Sequence, residues 1–379
     1  MSYPTEKLKS LSFIKTGKLD SNAANANGAY PFFTCDPNTL RINNWAYDTE
    51  AVLLAGNNAS GNYTAKYYSG KFNAYQRVYI IETADAKRLN IRFLCYAINQ
   101  QLHLLKKISS GSTTKFLTLG MLHGLDIPLP AIEIQEGIVN ILSSYDDLIG
   151  NNQKQIKLLE EAAQRLYKEW FVNLRFPGHE NVKIVDGVPE EWQQCTLGEM
   201  ASILRRGISP KYDDIGKYLV ISQKCIRRSI MDTGEARRES KEYAPELNLQ
   251  DADTVICSTG TGTLGRVGQV CGTYPDTTFD SHVTLVRTEN YQNFFYQAVK
   301  SQQEFLMGMG RGSTNQQELY RNVIESLQIL VPTQEILNKA EKMLSSMHHK
   351  VTALNSQILL LIETRDRLLS KLMGGEIEV

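Results

Sequence analysis

The sequence is poor in cysteine and has no residues spaced like the ligands of a metal ion. Its six cysteines are scattered along 379 residues without a Cys-x-x-Cys pair, and its six histidines do not cluster with cysteines or acidic residues. A zinc site or a disulfide framework is therefore not expected. We expect the cysteines to be buried free thiols, and we expect His348 and His349, on a predicted helix, to lie at the surface.

Long apolar segments are also absent. No run of 18 apolar residues occurs, and residues 1–18 lack the apolar stretch of a signal peptide. Since a membrane-spanning helix needs about 20 apolar residues, we expect a soluble protein located in the cytoplasm. A chain of 379 residues is long enough for two or three domains, each with its own core.

The motifs of common catalytic sites are missing, which predicts that the chain is not an enzyme. The sequence has no G-x-x-x-x-G-K-[ST] loop for ATP and no Asp/Asn-Pro-Pro-aromatic tetrapeptide for adenine methylation. It also lacks the G-x-S-x-G motif of serine hydrolases and the H-E-x-x-H motif of zinc proteases.

One glycine-rich run resembles a cofactor site. Residues 260–265, GTGTLG, fit the G-x-G-x-x-G fingerprint and follow an apparent strand at Asp253–Cys257. That fingerprint requires a helix immediately afterwards, whereas the glycines and alternating valines from Arg266 onward predict a strand. We interpret the run as a glycine-rich hairpin, which is either purely structural or carries Arg266 toward DNA.

The net charge is zero, but the charges are unevenly distributed. Lys and Arg outnumber Asp and Glu by 14 to 8 over residues 1–128 and are outnumbered by 19 to 16 over residues 181–331. The first segment is basic enough to bind a polyanion. The second segment clusters its arginines, which form either a local basic face or a solvated surface. Its candidate DNA-binding arginines are Arg205, Arg206, Arg227, Arg228, Arg266 and Arg311.

The sequence contains an internal duplication. Residues 130–170 and residues 332–372 are two copies of one helical segment, related by a shift of 202 positions. A repeat of this length is too long for a solenoid, so it predicts a duplicated module of one globular domain followed by one long helix, with a pseudo-twofold axis. Among the identical pairs are Pro130 and Pro332, Glu133 and Glu335, Leu142 and Leu344, Leu158 and Leu360, and Arg165 and Arg367.

Both copies carry apolar residues in a heptad pattern, which predicts two coiled-coil helices. We expect Pro130 and Pro332 to begin the helices, and roughly 40 residues give a rod about 60 Å long. Asn152 and Arg365 interrupt the apolar seams, either to fix the register or because those positions lie near a solvated end. The apolar positions include Leu142, Ile149, Ile156, Leu159, Leu166, Trp170, Leu344, Ile358, Leu361 and Leu368.

The two globular segments are predicted to be mixed α/β structure. In the first, Ala51–Leu54 and Arg77–Ile81 are typical of strands, and residues 90–107 are typical of a helix. In the second, residues 294–305 also predict a helix. A polar, tyrosine-rich stretch between the two strands has side chains that suit base edges and phosphates, although an exposed hairpin without a ligand is equally compatible. The candidate DNA-binding residues here are Asn57, Asn58, Lys66, Lys71 and Arg77.

A small polar loop follows the predicted helix in each globular segment. Gly111-Ser112-Thr113 and Gly312-Ser313-Thr314 lie 201 positions apart, so the duplication extends upstream of the long helices. Backbone N–H groups of such loops often contact phosphates. The candidate DNA-binding residues therefore also include Ser112, Thr113, Ser313 and Thr314.

The long run LIGNNQKQIKLLEEAAQRLYKEWF, residues 148–171, resembles the central helical region of the specificity subunits of type I restriction-modification systems. Residues 188–192, VPEEW, with residues 196–199, TLGE, are similar to the start of a target-recognition domain in that family. The resemblance covers the whole chain as domain, helix, domain, helix. One departure is visible: the first domain begins at Tyr3-Pro4-Thr5 without the Trp-x-x-x-Thr-Leu-Gly of the second, which leaves the anchoring of its first strand open.

The resemblance implies an α+β fold with two mixed α/β target-recognition domains separated by two long antiparallel coiled-coil helices. The expected segments are residues 1–129 and 177–331 for the two target-recognition domains, residues 130–176 for the central helical region, and residues 332–379 for the distal helical region. Each domain would read one half of a bipartite, asymmetric site on double-stranded DNA. The paired helices would set the spacer between the two halves.

The resemblance also implies partners and cofactors. The helices, with the apolar residues named above, would dock two methyltransferase subunits, and two translocase-endonuclease subunits would join the assembly. The methyltransferase would bind S-adenosylmethionine and the translocase-endonuclease would bind ATP and Mg, with no cofactor on this chain. Two other classes stay open: a coiled-coil DNA-binding scaffold unrelated to restriction, and a self-sufficient DNA methyltransferase that uses the glycine run.

Overall fold

The chain folds into two compact units. The structure, a computed structural model, describes residues 3–58, 61–111, 114–227, 230–260, 262–310 and 317–379. Residues 1–149 and 360–379 form the first unit, and residues 150–359 form the second. Strands and helices alternate in both units, which confirms the predicted mixed α/β character.

The first unit is built around a six-stranded sheet. Its strands are β1 (Thr5–Lys7), β2 (Ser12–Thr16), β3 (Tyr30–Phe33), β4 (Leu40–Ile42), β5 (Tyr47–Ala55), β6 (Asn57–Asn58), β7 (Ala65–Ala74), β8 (Val78–Thr83), β9 (Lys115–Phe116) and β10 (Asp126–Pro128). Its helices are α1 (Leu8–Leu11), α2 (Ile91–Gln100), α3 (Leu102–Ile108), α4 (Leu119–His123) and the beginning of α5 (Ile132–Tyr167). Six strands pair in the order β2-β8-β5-β7-β3-β4.

The C-terminal half of β5 is buried because both faces of the sheet are covered. Val52 and Leu54 pack in one cluster with residues of α2, whereas Leu53 packs on the opposite face with Phe72 of β7. This alternation is the period of two that a strand imposes on its side chains. Helix α2 begins at a side-chain cap, since the side chain of Asn90 accepts hydrogen bonds from the backbone N–H groups of Arg92 and Phe93.

The described part of the second unit contains two larger sheets, of four and three strands, and two further pairs of strands. Its strands are β11 (Ile184–Val185), β12 (Val188–Pro189), β13 (Gln193–Thr196), β14 (Ala201–Arg206), β15 (Tyr218–Ile221), β16 (Arg237–Glu239), β17 (Thr254–Cys257), β18 (Val267–Gln269), β19 (Thr277–Phe279), β20 (Val283–Thr288) and β21 (Gln328–Val331). Its helices are α6 (Leu197–Met200), α7 (Gln292–Ser301), α8 (Gln303–Gly308), α9 (Arg321–Glu325) and most of α10 (Gln334–Met373). The larger sheets have the orders β14-β20-β17-β18 and β16-β15-β19, and the two-stranded pairs are β11-β12 and β13-β21.

An aromatic cluster joins α5 to the second unit. At its C-terminal end the helix continues as a π-helical turn, Lys168–Val172. The Phe171 ring on this turn packs edge-on against Phe294 of α7, with 5.0 Å between the ring centroids, and lies 5.8 Å from the ring of Trp192. The end of the helical run that carried the family resemblance is therefore part of the hydrophobic core of this unit.

The predicted local elements are largely present, but two helices are interrupted. The predicted strands overlap β5 and β8, and the polar stretch between them contains the ten-residue strand β7. The predicted helix at residues 90–107 is two helices separated by Gln101, and that at residues 294–305 is two helices separated by Gln302. The apolar spacing continues across Gln101 and Gln302, so the sequence pattern does not reveal either break.

The heptad residues of α5 and α10 pack inside the units. Pro130 and Pro332 lie two residues before the first helical residue, so neither is the first residue of its helix. In the second unit the amide of Asn152 donates a hydrogen bond to Gln357 Oε1 at 3.3 Å. In the first unit Arg365 forms an ion pair with Asp146 at 2.8 Å. Both polar residues that interrupt the apolar seams therefore have partners.

The apolar residues predicted to dock partner subunits are mostly occupied by the chain's own packing. Leu142, Ile149, Ile156, Leu344 and Ile358 are buried. The remaining five are half-buried: Leu159, Leu166, Trp170, Leu361 and Leu368. Other apolar side chains of the same helices are exposed, above all Leu158 and Leu360, each 63% exposed.

The prediction that His348 lies at the surface is wrong, whereas His349 is exposed. The His348 ring is buried, with Nδ1 3.1 Å from Gln269 Oε1 and Nε2 2.9 Å from Asp251 Oδ1. Because the amide of Gln269 donates to Asn293 Oδ1 at 2.9 Å, its oxygen faces the histidine as an acceptor. Both ring nitrogens therefore contact polar partners in the second unit, and these contacts tie α10 to that unit.

Replacing Asp251 with asparagine is expected to lower the free energy of unfolding at pH 7 by about 1 kcal/mol, because the carboxylate of a partly exposed charged hydrogen bond is lost. Burial alone would raise the pKa of Asp251, but hydrogen bonds from His348 and the Gly272 N–H lower it overall. The stabilisation by this carboxylate is therefore complete above the usual carboxyl pKa and is lost as pH falls through the lower folded pKa.

Urea denaturation of the unchanged chain and of the Asp251→Asn variant at several pH values measures the stabilisation by this carboxylate. The difference between them should be largest at neutral pH and should shrink below about pH 4. A difference that grew on acidification would contradict the assigned role of the hydrogen bond to His348.

The six cysteines are free thiols. The prediction of burial is confirmed for Cys95, Cys225, Cys257 and Cys271 and is wrong for Cys35 and Cys195, which are partly exposed. Among the described residues, no helix combines the length and apolar character needed to cross a membrane.

Candidate nucleic-acid interface

In the first unit, the chain leaving strand β5 forms a polar edge. Asn57 and Asn58, in β6, pair antiparallel with Phe116 and Lys115 of β9. Gly56 precedes them, and an added Cβ there would lie 2.5 Å from the carbonyl oxygen of Arg77, so the close approach of the two segments requires glycine. The pairing places both asparagines, half-buried, beside a lysine that is 57 positions away in sequence.

Two lysines that the sequence analysis did not select lie at this edge. Lys106 Nζ donates to Asn62 Oδ1 at 2.7 Å. Gly61 has a φ of +69°, and an added Cβ there would lie 3.0 Å from the Lys115 side chain and 3.3 Å from that of Lys106. We call Asn57, Asn58, Asn62, Lys106 and Lys115 the first edge. Its amide and ammonium groups suit the acceptors of base edges and phosphates.

The other predicted residues of the first unit are placed differently. Arg77 is exposed, and its carbonyl oxygen accepts a hydrogen bond from Gly56 N at 2.8 Å, so it lies next to the first edge. Lys66 Nζ donates to Thr39 Oγ1 at 3.2 Å, and burial lowers its pKa. Lys71 lies over the Trp45 ring, with 4.6 Å from Nζ to the ring centroid. It is five residues after Lys66 on β7, which corresponds to about 16 Å along the strand. Ser112 and Thr113 lie outside the described residues.

The second unit has an edge at the corresponding place. Strand β17 ends at Cys257, and Thr259 then forms a β-bridge with Glu318. Thr259 lies 202 positions after Asn57, and its partner Glu318 lies 202 positions after Phe116, the partner of Asn57, so the shift is the one that relates the two long helices. We call Arg206, Ser258, Thr259, His282 and Glu318 the second edge. Both units therefore present a polar residue just after the central strand.

Backbone and side-chain bonds hold the second edge together. Leu319 N donates to Ser258 O at 2.9 Å, and Ser258 N donates to His282 O at 2.8 Å. Arg206 donates to Leu319 O at 3.0 Å and forms an ion pair with Glu318 at 3.6 Å. Of the predicted arginines that the structure describes, Arg206 is the one whose contacts place it directly on this edge.

Two other predicted arginines within the described residues have their partners away from the second edge. Arg205 forms an ion pair with Glu246 at 3.5 Å, and Arg227 forms one with Glu235 at 3.5 Å. All four side chains are roughly half-exposed. Arg266 is half-buried in the turn before β18. The predicted residues Arg228, Arg311, Ser313 and Thr314 lie outside the described residues.

The glycine run before β18 makes a local turn. Gly260, Gly262 and Gly265 have φ values of +100°, +76° and +75°, which residues other than glycine rarely adopt. An added Cβ at Gly265 would lie 2.5 Å from the backbone nitrogen of Met307. Strand β18 follows, so the helix that a dinucleotide fingerprint requires does not come next.

His282 is a further polar residue that the sequence analysis did not select. Its Nδ1 lies 2.6 Å from Thr259 Oγ1, and its backbone N–H donates to Asp280 Oδ1 at 2.9 Å. Burial raises the pKa of Asp280, although the His282 N–H opposes the shift. A single histidine without nearby histidines, cysteines or a motif gives no signal in the sequence, so this pair could be recognised only in the folded chain.

Comparison with known protein families identifies related sequences. A family model described as the type I restriction modification DNA specificity domain matches residues 3–161 and 189–364. The specificity subunit of the type I restriction enzyme EcoDI from Escherichia coli is 31% identical over 233 residues, which cover 55% of this chain and 51% of that protein. The MjaIX specificity subunit from Methanocaldococcus jannaschii is 28% identical over 294 residues, covering 73% of this chain and 66% of that protein. The chain thus spans about half to two-thirds of the length of these relatives.

A solved structure shares the fold. The crystal structure of a type I restriction-modification system S subunit from M. genitalium superposes with a TM-score of 0.59 at 20% sequence identity. The alignment covers 98% of this chain and 96% of that one.

Proposed function

Because the chain belongs to the family of type I restriction-modification DNA specificity domains, we propose that each of its two units reads one half of a bipartite DNA site. One observation carries this proposal: the first edge and the second edge occupy corresponding places, with Asn57 and Thr259 separated by the 202-residue shift of the internal duplication. Two similar but non-identical polar edges suit two different half-sites. The chain itself is non-catalytic in this proposal.

The two long helices set the spacer and dock the partners. A helix of 36 residues and one of 40 residues, each running through both units, give lengths of about 54 and 60 Å. Methyltransferase subunits bind along them and supply S-adenosylmethionine, while translocase-endonuclease subunits supply ATP and Mg. Since the heptad residues are occupied within the chain, the exposed apolar residues of the helices make the contacts with the methyltransferase.

A genome-wide map of N6-methyladenine in the source cells, with and without this gene, tests the proposed function. Deletion should abolish methylation at one bipartite motif, and re-expression of the chain should restore it. The map gives both half-sites and the spacer. An unchanged map, together with no methyltransferase recovered on purification of the chain, would contradict the proposal and favour a structural scaffold.

Replacing Leu158 or Leu360 with aspartate is expected to remove one methyltransferase subunit from the complex. The two leucines are related by the 202-residue shift, and each is 63% exposed, so they form equivalent docking positions for two copies of one partner. Burying an unpaired carboxylate in an apolar contact costs several kcal/mol. Native mass spectrometry should show two partner subunits with the unchanged chain, one with either variant, and none with both.

Gln153→Asp provides the control, because it adds the same charge at an exposed position of α5. It should leave two partner subunits bound. If either leucine variant also retained both, the docking surface would lie elsewhere.

A further inference from the structure

We infer that His282 reads a base in the half-site bound by the second unit and that Thr259 orients its ring. This inference rests on the proposed function, which it deepens by naming a specificity residue. His282 is exposed, and its Nδ1 lies 2.6 Å from Thr259 Oγ1. Within the described residues, no side chain or backbone group bonds to Nε2, so this nitrogen is available to DNA.

The pair is positioned by its backbone before any ligand binds. Thr259 is fixed by the bridge with Glu318, and its carbonyl oxygen accepts a hydrogen bond from Thr263 Oγ1 at 3.0 Å. His282 is fixed on both sides, since its N–H donates to Asp280 at 2.9 Å and its carbonyl accepts from Ser258 N at 2.8 Å. A preformed donor or acceptor loses less conformational entropy on binding, so such a side chain discriminates well between bases.

The surrounding charge favours a base edge over a phosphate as the partner of His282. Glu318, which bridges to Thr259, has a side chain that is 44% exposed, and Asp280 bonds to the histidine backbone. Two carboxylates beside the pair repel a phosphate, and Arg206, 3.6 Å from Glu318, neutralises only part of that charge. A base edge in the major groove instead combines acceptors such as purine N7 with donors such as the cytosine amino group.

The first unit supports the same assignment. Asn57 occupies the position equivalent to Thr259, because it pairs with Phe116 just as Thr259 bridges to Glu318, and both residues of the second pair lie 202 positions later. Asparagine is a side chain that recognises adenine through two hydrogen bonds. Each unit therefore places a group suited to base edges directly after its central strand, although the chemistry differs between the two.

The test uses the full-length chain with its methyltransferase partner in cells that lack the native gene. N6-methyladenine is mapped for the unchanged chain and for the variants His282→Ala, His282→Gln and Thr259→Val. We expect His282→Ala to reduce discrimination at one base position of one half-site by about tenfold or more, with the other half-site unchanged. Thr259→Val should give a smaller loss at the same position, because the imidazole remains but is no longer oriented. His349→Ala, at an exposed position of α10, should leave the motif intact.

The other outcomes overturn the inference. A uniform decrease of methylation at all sites, without a change of motif, would show a phosphate contact. An unchanged motif would show no contact. If His282→Ala prevented folding, His282→Gln and Thr259→Val, which preserve volume, would report on the same base position. If the unchanged chain itself restored no bipartite methylation, the proposed function would fail, and this result is distinct from failure of the histidine assignment alone.

Discussion

Replacing Arg287 with leucine is expected to lower the free energy of unfolding of the second unit by about 3–5 kcal/mol. Arg287 lies on β20 and forms a two-point ion pair with Asp253, with distances of 2.7 Å from Nε and 2.6 Å from Nη2. The side chains are only 9% and 0% exposed. Burial raises the pKa of Asp253, and the arginine opposes that shift. Without Arg287, the carboxyl group would be buried without its partner.

The arginine also holds a loop next to the sheet. It donates to the backbone carbonyl of Glu246 at 3.0 Å and to that of Asn248 at 2.9 Å. Leucine satisfies neither acceptor, so part of the loss should persist even without the charge. The double variant Arg287→Leu with Asp253→Leu is therefore expected to recover much, but not all, of the lost stability.

Hydrogen–deuterium exchange of the β17 and β20 amides, combined with urea denaturation, localises and measures this effect. Arg321→Leu is the matched control, because Arg321 pairs with Glu325 at 2.7 Å while 59% exposed. It should cost less than about 1 kcal/mol. Equal losses for Arg287→Leu and Arg321→Leu would mean that the buried pair contributes no more than a surface ion pair.

Local periodicity predicted more of this molecule than charge did. The heptads of both copies extend over many turns, so they indicated the two long helices to within three residues at either end. The clustered arginines gave a weaker prediction. Arg205, Arg206 and Arg227 each pair with a glutamate more than seven positions away in sequence, whereas Arg287, which is in no cluster, is buried. Sequence proximity does not show which charges are neutralised in the fold.

The polar edges depend on contacts that no sequence window contains. Lys106 meets Asn62 across 44 positions, and His282 meets Thr259 across 23. His348 occupies a polar helical position typical of the surface, yet it is buried by residues 79 and 97 positions away. Such partners come together only when the strands pair, so local pattern predicted the segments that carry the edges but not the side chains that form them.

Inserting four residues into both long helices is expected to lengthen the recognised DNA spacer by about one to two base pairs. Four residues extend an α-helix by about 6 Å, and a base pair occupies about 3.4 Å. The two insertions should be placed where the helices lie side by side. In the second unit the 3.3 Å hydrogen bond between Asn152 and Gln357 identifies such a place. Duplicating residues 153–156 and residues 353–356 serves this purpose. A four-residue insertion unwinds a coiled coil locally but leaves each helix continuous.

The methylation map again provides the measurement, because it reports the half-sites and the spacer separately. With both insertions, the two half-sites should keep their sequences while the distance between them grows. An insertion in α5 alone displaces Asn152 from Gln357 and takes the heptads of the two helices out of register, so methylation should fall at every site. Unchanged half-sites together with an unchanged spacer in the double insertion would mean that the helices do not determine the distance. A partner subunit would then have to set the distance between the half-sites, since the two polar edges belong to separate units of the chain.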